Sequence, residues 1–281
     1  VNICMLWWHR RFVRDSYSCR VGKGTDYGVR RAAHHIAVKS ENYTRPTYFV
    51  KMDIKGFFMS MDRTKLMELA VQGAHEQFRF FGPLGRLLAY LWRQVIADNP
   101  LTAVRIRGKM KDWDALPRDK SMFFQTEGHG IVIGNLTSQL LSNIFLDQLD
   151  KFIIYQLGYQ YYGRYVDDFY VVVTEDECGQ LSRDIERIRG FLRGLGLTMH
   201  PNKTKWLPVD RGVPYLGHQI RNGHIEMDWR YQQKYLKAIQ ELMRGSKELD
   251  VLTSYMGGCF NYGCRRMQER IWTQAGQGFE M

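Results

Sequence analysis

Five residues, Tyr165-Val166-Asp167-Asp168-Phe169, constrain the fold more than any other stretch of the chain. Two adjacent carboxylates stand between apolar flanks, Tyr161-Tyr162-Gly163-Arg164 before and Tyr170-Val171-Val172-Val173 after, rich in the β-branched and aromatic residues that strands prefer. The pattern predicts strand, tight turn, strand. Adjacent acids on a turn between buried strands repel one another and resist leaving water unless a cation holds them. A hard divalent metal such as Mg²⁺ is such a cation. Asp is also an ordinary turn former, and the tetrapeptide alone fits a plain hairpin loop equally well.

A third carboxylate in a matching setting tips the balance. Tyr48-Phe49-Val50-Lys51-Met52-Asp53-Ile54 reads as a second short strand with Asp53 at its end, followed by Lys55-Gly56-Phe57-Phe58. One acid at a strand terminus and two at a hairpin can hold two divalent ions roughly 3.5–4 Å apart, the arrangement that serves in-line phosphoryl displacement.

Composition agrees with that chemistry. Lys+Arg 40 against Asp+Glu 29 gives a net charge of +11, which favours a polyanionic partner such as nucleic acid. At 281 residues the chain can bury a real core, as one elaborated domain or two smaller ones. Five cysteines without regular spacing argue for reduced thiols in a cytoplasmic compartment and against a disulfide framework. Cys259 and Cys264 are too far apart for a close metal-knuckle pair. No apolar run approaches the roughly 20 residues of a membrane helix, and no signal peptide is evident. The sequence starts at Val1, which leaves the native N-terminus either upstream or trimmed.

Along the chain, residues 1–45 interleave Arg10, Arg11, Arg14, Arg20, Lys23, Arg30 and Arg31 with Trp7, Trp8, Phe12, Tyr17 and Tyr27. Arginines among stacking rings suit a single strand or an incoming triphosphate. Within them, Arg20-Val21-Gly22-Lys23-Gly24-Thr25 combines glycines that let backbone approach phosphate with two cations, without the spacing of a Walker loop. Residues 62–98 read as two helices, with Leu66, Leu69 and Ala70, then Leu84, Leu87, Leu88, Leu91 and Trp92, expected in the core. From Asn99 to Gly130 the pattern dissolves into a basic loop or short hairpin bearing Arg105, Arg107, Lys109, Lys111, Arg118 and Lys120.

Gly130-Ile131-Val132-Ile133-Gly134-Asn135-Leu136-Thr137-Ser138-Gln139 then leads into a stripe of Leu140, Leu141, Ile144, Phe145, Leu149, Phe152 and Ile153 spanning about five helical turns, with Asn135 or Thr137 as cap. A helix start below a glycine turn can seat a phosphate or a nucleotide sugar, though plain capping explains it as well. Beyond the Asp-Asp hairpin, Leu181, Ile185, Ile188 and Leu192 mark an amphipathic helix, and Lys203 follows Pro201-Asn202 on a turn. Tyr215–Ile220 and His224–Met227 flank Asn222-Gly223, a strong hairpin signal. From Asp228, a good N-cap, Tyr231, Tyr235, Ile239, Leu242 and Met243 predict a basic helical tail.

Asp53 in Met-Asp-Ile-Lys-Gly-Phe-Phe, the glycine-turn helix at 130–156, Tyr-Val-Asp-Asp, Asn-Lys-Thr at 202–204 and Tyr-Leu-Gly at 215–217 resemble, in this order, the motifs of reverse transcriptases, from about Ser16 to Met267. More narrowly, Ile133–Gln139 resembles the corresponding segment of reverse transcriptases from diversity-generating retroelements of bacteria and phages, and Arg20–Thr25 and Lys120-Ser121-Met122-Phe123 match that group too. The resemblance implies that Asp53 and Asp167 are the main ligands of two Mg²⁺ ions, with Mn²⁺ admissible in their place, Asp168 contributing and the Ile54 carbonyl completing a site. It makes Phe58, beside Phe57, the ring against the sugar 2′ position that favours deoxynucleotides, with a plain core aromatic as the competing role. Arg20 and Lys23 would contact triphosphate or template, and Ile133, Gly134 and Gln139 the nucleotide. Lys203 would stand near the leaving pyrophosphate as a proton donor, a solvated turn lysine being the alternative. Tyr215, Leu216 and Gly217 resemble the primer grip, and Ser254–Gly258 with Asn261 match the thumb loosely.

Ile133 stands where retroviral enzymes carry a glutamine touching the nucleotide sugar, and Gln139 where they carry a proline. Losing an amide contact removes a polar check on nucleotide placement, so Ile133 is expected to lower fidelity. The resemblance implies that the errors fall at template adenines, the basis of mutagenic retrohoming. It also implies a template RNA, a cDNA primer and product, dNTPs and a small basic accessory protein as partners. No RNase H, endonuclease or integrase segment is recognisable. The expected architecture is α+β, a right-hand polymerase of fingers, palm and thumb with an antiparallel palm sheet backed by helices. Its expected divisions are basic fingers at 1–45, palm with the first acid at 46–69, a fingers or helical insertion at 70–130, palm with the Asp-Asp hairpin and primer grip at 131–227, and a helical thumb at 228–281. Competing readings are a retron or group II intron type of reverse transcriptase and a catalytically silent RNA-binding protein, whose expected mark, a lost acid, is absent.

Overall fold

Adjacent buried residues along Thr47–Asp53 mark a strand enclosed on both faces: Phe49, Val50 and Met52 are all fully covered. In a computed structural model of the chain this strand, β1, lies inside a four-stranded sheet of order β2-β3-β1-β4, with β2 at Tyr162–Tyr165, β3 at Asp168–Thr174 and β4 at Lys205–Pro208. A second sheet, β5 (Val213–Tyr215), β6 (His218–Arg221) and β7 (His224–Met227), is an antiparallel meander. The structure describes residues 2–99, 101–102, 109, 111 and 116–243. Arg105, Arg107 and the thumb motif at 254–258 with Asn261 lie outside the described residues.

Helices supply the other layer. They are α1 (Asn2–His9), α2 (Thr25–Lys39), the single turn α3 (Phe57–Ser60), α4 (Arg63–Gln77), α5 (Gly82–Ala97), α6 (Leu136–Lys151), α7 (Cys178–Gly194) and α8 (Trp229–Met243). Two 3-10 turns, Arg118–Lys120 and Met122–Phe124, occupy part of the stretch expected to be loop or hairpin. The α6 stripe continues into a π-helical turn at Phe152–Gln156, and the Phe152 ring stacks on Phe191 of α7 with centroids 4.3 Å apart. No helix among the described residues is long and apolar enough to cross a membrane.

By its contacts the chain divides into two units, one of Val1–Gly24, Val50–Val171 and Asp176–Lys205, the other of Thr25–Phe49, Val172–Glu175 and Trp206–Met281. In the first, Leu66, Ala70, Phe145, Leu149, Leu181, Ile188 and Leu192 lie in the core, as their helical spacing predicts, and Leu146, Phe169 and Tyr170 join them there. In the second, α2 packs on β6 and β7 through Val29, Ala32 and Ile36, and the Phe49 and Tyr215 rings meet at 5.5 Å.

One expectation about the core fails. Leu84, Leu87 and Leu91 are about half exposed, while Gly85, Ala89, Trp92 and Ile96 form the buried face of α5. This face packs on α4, where a Cβ on Gly85 would stand at ordinary contact distance, 3.5 Å, from the Ala74 carbonyl and from Phe78 Cβ. Spacing identifies the helix without choosing between two apolar faces.

Candidate active site

The β2–β3 hairpin pairs Tyr165 with Asp168, leaving Val166 and Asp167 as a two-residue turn. Val166 adopts φ 56°, a left-handed conformation that a β-branched residue takes at a cost on the order of 1–3 kcal/mol. Both turn carbonyls are held: Arg164 donates to Val166 O at 2.9 Å, and the Ile54 amide to Asp167 O at 3.3 Å. Through that second bond the residue after Asp53 is tied to Asp167, so the end of β1 meets the turn of the hairpin. The Asp53 and Asp168 carboxyls are close enough for the Asp53 charge to act on Asp168.

Asp53 is also joined to a later segment. Its carbonyl accepts from the His200 amide at 2.7 Å, and Lys55 N–H donates to Thr198 O at 2.8 Å. His200 opens the turn carrying Lys203, whose Nζ reaches Asp53 Oδ1 at 2.9 Å and Oδ2 at 3.0 Å. Asp168 has a cation too, Lys51 Nζ at 2.9 Å from Oδ2. Asp53, Asp167, Asp168 and Lys203 are thus brought together as the sequence predicts, while Lys51 was not singled out. Its place two residues before Asp53, on the same strand face, was the available signal.

Two of the crowded acids, Asp167 and Asp168, titrate abnormally. Burial, reinforced by the Asp53 and Asp168 charges, pushes the Asp167 carboxyl up to about 6. Burial also raises Asp168, against the opposing pull of Lys51. The hydrogen bond to Asp53 raises Lys203 and keeps it an ammonium ion. Among the described residues no three His, Cys, Asp or Glu side chains close around one point as a ready cage. The donors are nonetheless hard carboxylate oxygens, two of them balanced by ammonium groups and the third resisting ionisation. That set fits a hard divalent cation, which would exchange with the lysines.

Phe57 is buried and Phe58 half-buried, their rings 5.2 Å apart, just beyond Gly56, whose left-handed φ of 55° starts the α3 turn. Backbone bonds Ile131 N–H to Phe58 O (2.9 Å) and Gly130 N–H to Met61 O (2.8 Å) join this turn to the segment leading into α6. In that segment Ile133 is 60% exposed, Gly134 has φ 99°, and Gln139 is half-buried on the first turn of α6. Asn135 takes the N-cap position but its side chain makes no capping bond, so the expected cap is one of position only.

Arg20 is turned inward. Its guanidinium donates to the carbonyls of His9 (2.8 Å), Val13 (2.7 Å) and Ser16 (2.9 Å), and Lys23 donates to the Arg14 carbonyl. In the other unit, Leu216 (φ 46°) and Gly217 (φ 78°) form a tight turn between β5 and β6, dividing what the sequence suggested as one strand, and the Asn222-Gly223 hairpin forms as predicted. A Cβ on Gly217 would stand 2.8 Å from the Tyr231 ring.

An antiparallel sheet backed by helices, with one acid at a strand end and two at a facing hairpin, defines a right-hand polymerase fold. The family model of the reverse transcriptase (RNA-dependent DNA polymerase) matches residues 3–220, and the chain belongs to that family. It is similar to Protein YkfC of Escherichia coli (strain K12), 22% identical over 245 residues, which cover 76% of this chain and 56% of YkfC. Apo telomerase from Candida tropicalis shares the fold, with a TM-score of 0.56 and 13% identity over 99% of this chain and 50% of that chain. The chain thus spans about half the length of these relatives.

Proposed function

We propose that the chain is an RNA-directed DNA polymerase of a diversity-generating retroelement, copying a template RNA into error-prone cDNA by two-metal nucleotidyl transfer. The observation that carries the polymerase reading is the meeting of Asp53, Asp167 and Asp168 at the end of β1 and the β2–β3 turn, each within reach of a lysine or of another of the acids. Asp53, Asp167, Asp168 and the Ile54 carbonyl would hold two Mg²⁺ ions. When bound, these supply a clamp on the attacking and leaving oxygens of an in-line displacement. Lys203, released from Asp53, stands to donate a proton to the departing pyrophosphate. Phe58 borders the sugar, Gly134 and Gln139 the nucleotide, and Tyr215-Leu216-Gly217 grip the primer. Lys23 and Arg20 serve the triphosphate side only after leaving the carbonyls they now contact. In this reading the chain keeps the fingers, palm and thumb divisions expected from the sequence, with the thumb from 228.

The retroelement reading rests on Ile133. Its apolar, exposed side chain at the entry to α6 offers the nucleotide sugar no amide. A small basic accessory protein and a structured template RNA complete the assembly, in the cytoplasm of a bacterium carrying the element or the phage that encodes it. The test is dNTP incorporation on a primed RNA template with Mg²⁺, by the chain alone, with candidate partners, and as Asp167→Asn, followed by sequencing. Synthesis lost in Asp167→Asn, with errors clustered at template adenines that decrease in Ile133→Gln, supports both parts. Accurate synthesis moves the assignment to a retron or intron type. RNA binding without synthesis in any condition leaves a silent binding protein.

A further inference from the structure

The strained Val166 turn is anchored by a buried arginine side chain. Arg164 is 1% exposed, and its guanidinium serves three groups at once. Nε and Nη2 meet Asp150 Oδ1 and Oδ2 at 2.6 and 2.7 Å as a bidentate pair. Nη1 donates to the Val166 carbonyl at 2.9 Å and reaches Asn143 Oδ1 at 3.3 Å. Asp150 is wholly buried and also accepts from Tyr162 Oη at 2.5 Å. Asn143 Nδ2 donates to Ser18 O at 3.0 Å. Both acceptors belong to α6, whose first turn carries Gln139, and the Arg164 backbone pairs with Asp15 and Tyr17 at 2.9 Å on either side.

We propose that Arg164 is a positioning residue for nucleotidyl transfer, holding the left-handed Val166 peptide against α6 so that Asp167 meets Asp53 in register. The inference rests on the polymerase reading above. A buried ion pair alone is weak support for stability, because an apolar pair of similar volume often replaces it without loss. What an apolar pair cannot replace is the bond to Val166 O. Lysine keeps the charge opposite Asp150 but lacks the planar fork that serves a carboxylate and a carbonyl together. Asp150 and Asn143 act one step further back by fixing the guanidinium, as partners of metal ligands do elsewhere. The link also couples α6, which carries Gln139 and follows Ile133, to the hairpin that carries Asp167 and Asp168.

The test compares wild type, Arg164→Lys and the double variant Arg164→Met/Asp150→Leu, which removes the buried charges together should single variants fail to fold. Thermal melts establish folding. Two readouts follow: Mn²⁺ binding by electron paramagnetic resonance, and steady-state dNTP incorporation separated into kcat and KM. The expected result in the folded variants is Mn²⁺ affinity lowered about 10-fold or more. Alongside it, kcat should fall about 10- to 100-fold while the KM for dNTP stays within about twofold. Folded variants with wild-type Mn²⁺ affinity and kcat would overturn the proposal. Wild type that incorporates no dNTP is a failure of the polymerase reading alone. The metal titration then still decides Arg164, weaker binding than wild type upholding it and equal binding rejecting it.

Discussion

Lys203 Nζ spans both carboxylate oxygens of Asp53, at 2.9 and 3.0 Å, although Lys203 itself is half exposed. An exposed ammonium contributes little to stability. Its position instead makes it a competitor for the oxygens a metal would use. Lys203→Met should leave the melting temperature nearly unchanged, lower the Mg²⁺ concentration needed for half-maximal rate, and reduce kcat about 100-fold through loss of the proton donor. Primer extension across a Mg²⁺ series reads both. A kcat within about twofold of wild type would remove Lys203 from the chemistry and leave it a counter-ion.

Asp167 gives the site a pH dependence of definite sign. Its folded-state value, about 6, lies above the usual carboxylate value because of burial and its acidic neighbours. Between about pH 4 and 6 the folded, metal-free protein therefore holds a proton that the unfolded chain has lost, and stability falls as pH rises through that window, by on the order of 3 kcal/mol. Chelator-treated wild type should lose melting temperature from pH 4.5 to 7, and Asp167→Asn should lose less. Proton and metal compete for the same oxygens, so the Mg²⁺ requirement should climb below about pH 6.

Much of this site is legible in the sequence because its parts are local. Tyr165–Phe169 encodes its own hairpin, and the Asp228 carboxylate caps α8 by accepting from the Arg230 amide at 2.9 Å. What escapes is whatever depends on long-range pairing. The partner of Lys51 is Asp168, a pairing that the place of Lys51 near Asp53 hints at but that neither strand specifies by itself. Arg20 looks from sequence like a phosphate ligand, yet its guanidinium finds the carbonyls of His9, Val13 and Ser16 nearer at hand. Arginine offers five donors, and folding satisfies buried ones with whatever carbonyls the chain leaves open.

Phe58 is half-buried beside Phe57, so part of its surface stays open to a ligand. If that surface borders the sugar, a smaller residue opens room for a 2′-hydroxyl. Phe58→Val should raise the ratio of ribonucleotide to deoxynucleotide kcat/KM by about 10-fold or more, a steric rejection being worth roughly 1–3 kcal/mol. Phe57→Val should instead cost stability, since that ring is 2% exposed and its loss leaves a cavity. An unchanged ratio in folded Phe58→Val would assign Phe58 to the core alongside Phe57.

Gly163 is closely packed on the hairpin that carries Asp167 and Asp168. It lies on β2 opposite Tyr170, and a Cβ there would collide with Tyr17 Oη and stand 2.6 Å from Tyr170 Cε1. Both tyrosines are fully buried and their hydroxyls are 3.0 Å apart, so neither ring has solvent to move into. Gly163→Ala should therefore destabilise the protein by about 1–3 kcal/mol, the usual cost of overpacking. Because the nearest colliding atom is the Tyr17 hydroxyl oxygen, Tyr17→Phe should recover part of that loss in the double variant even though it removes a hydrogen bond on its own. Urea unfolding of the two single variants and the double gives the coupling. Additive losses would mean that the strand shifts away from Tyr17, in which case Mg²⁺-dependent incorporation should fall too, since Arg164 and the Asp turn lie one to five residues further along the same hairpin.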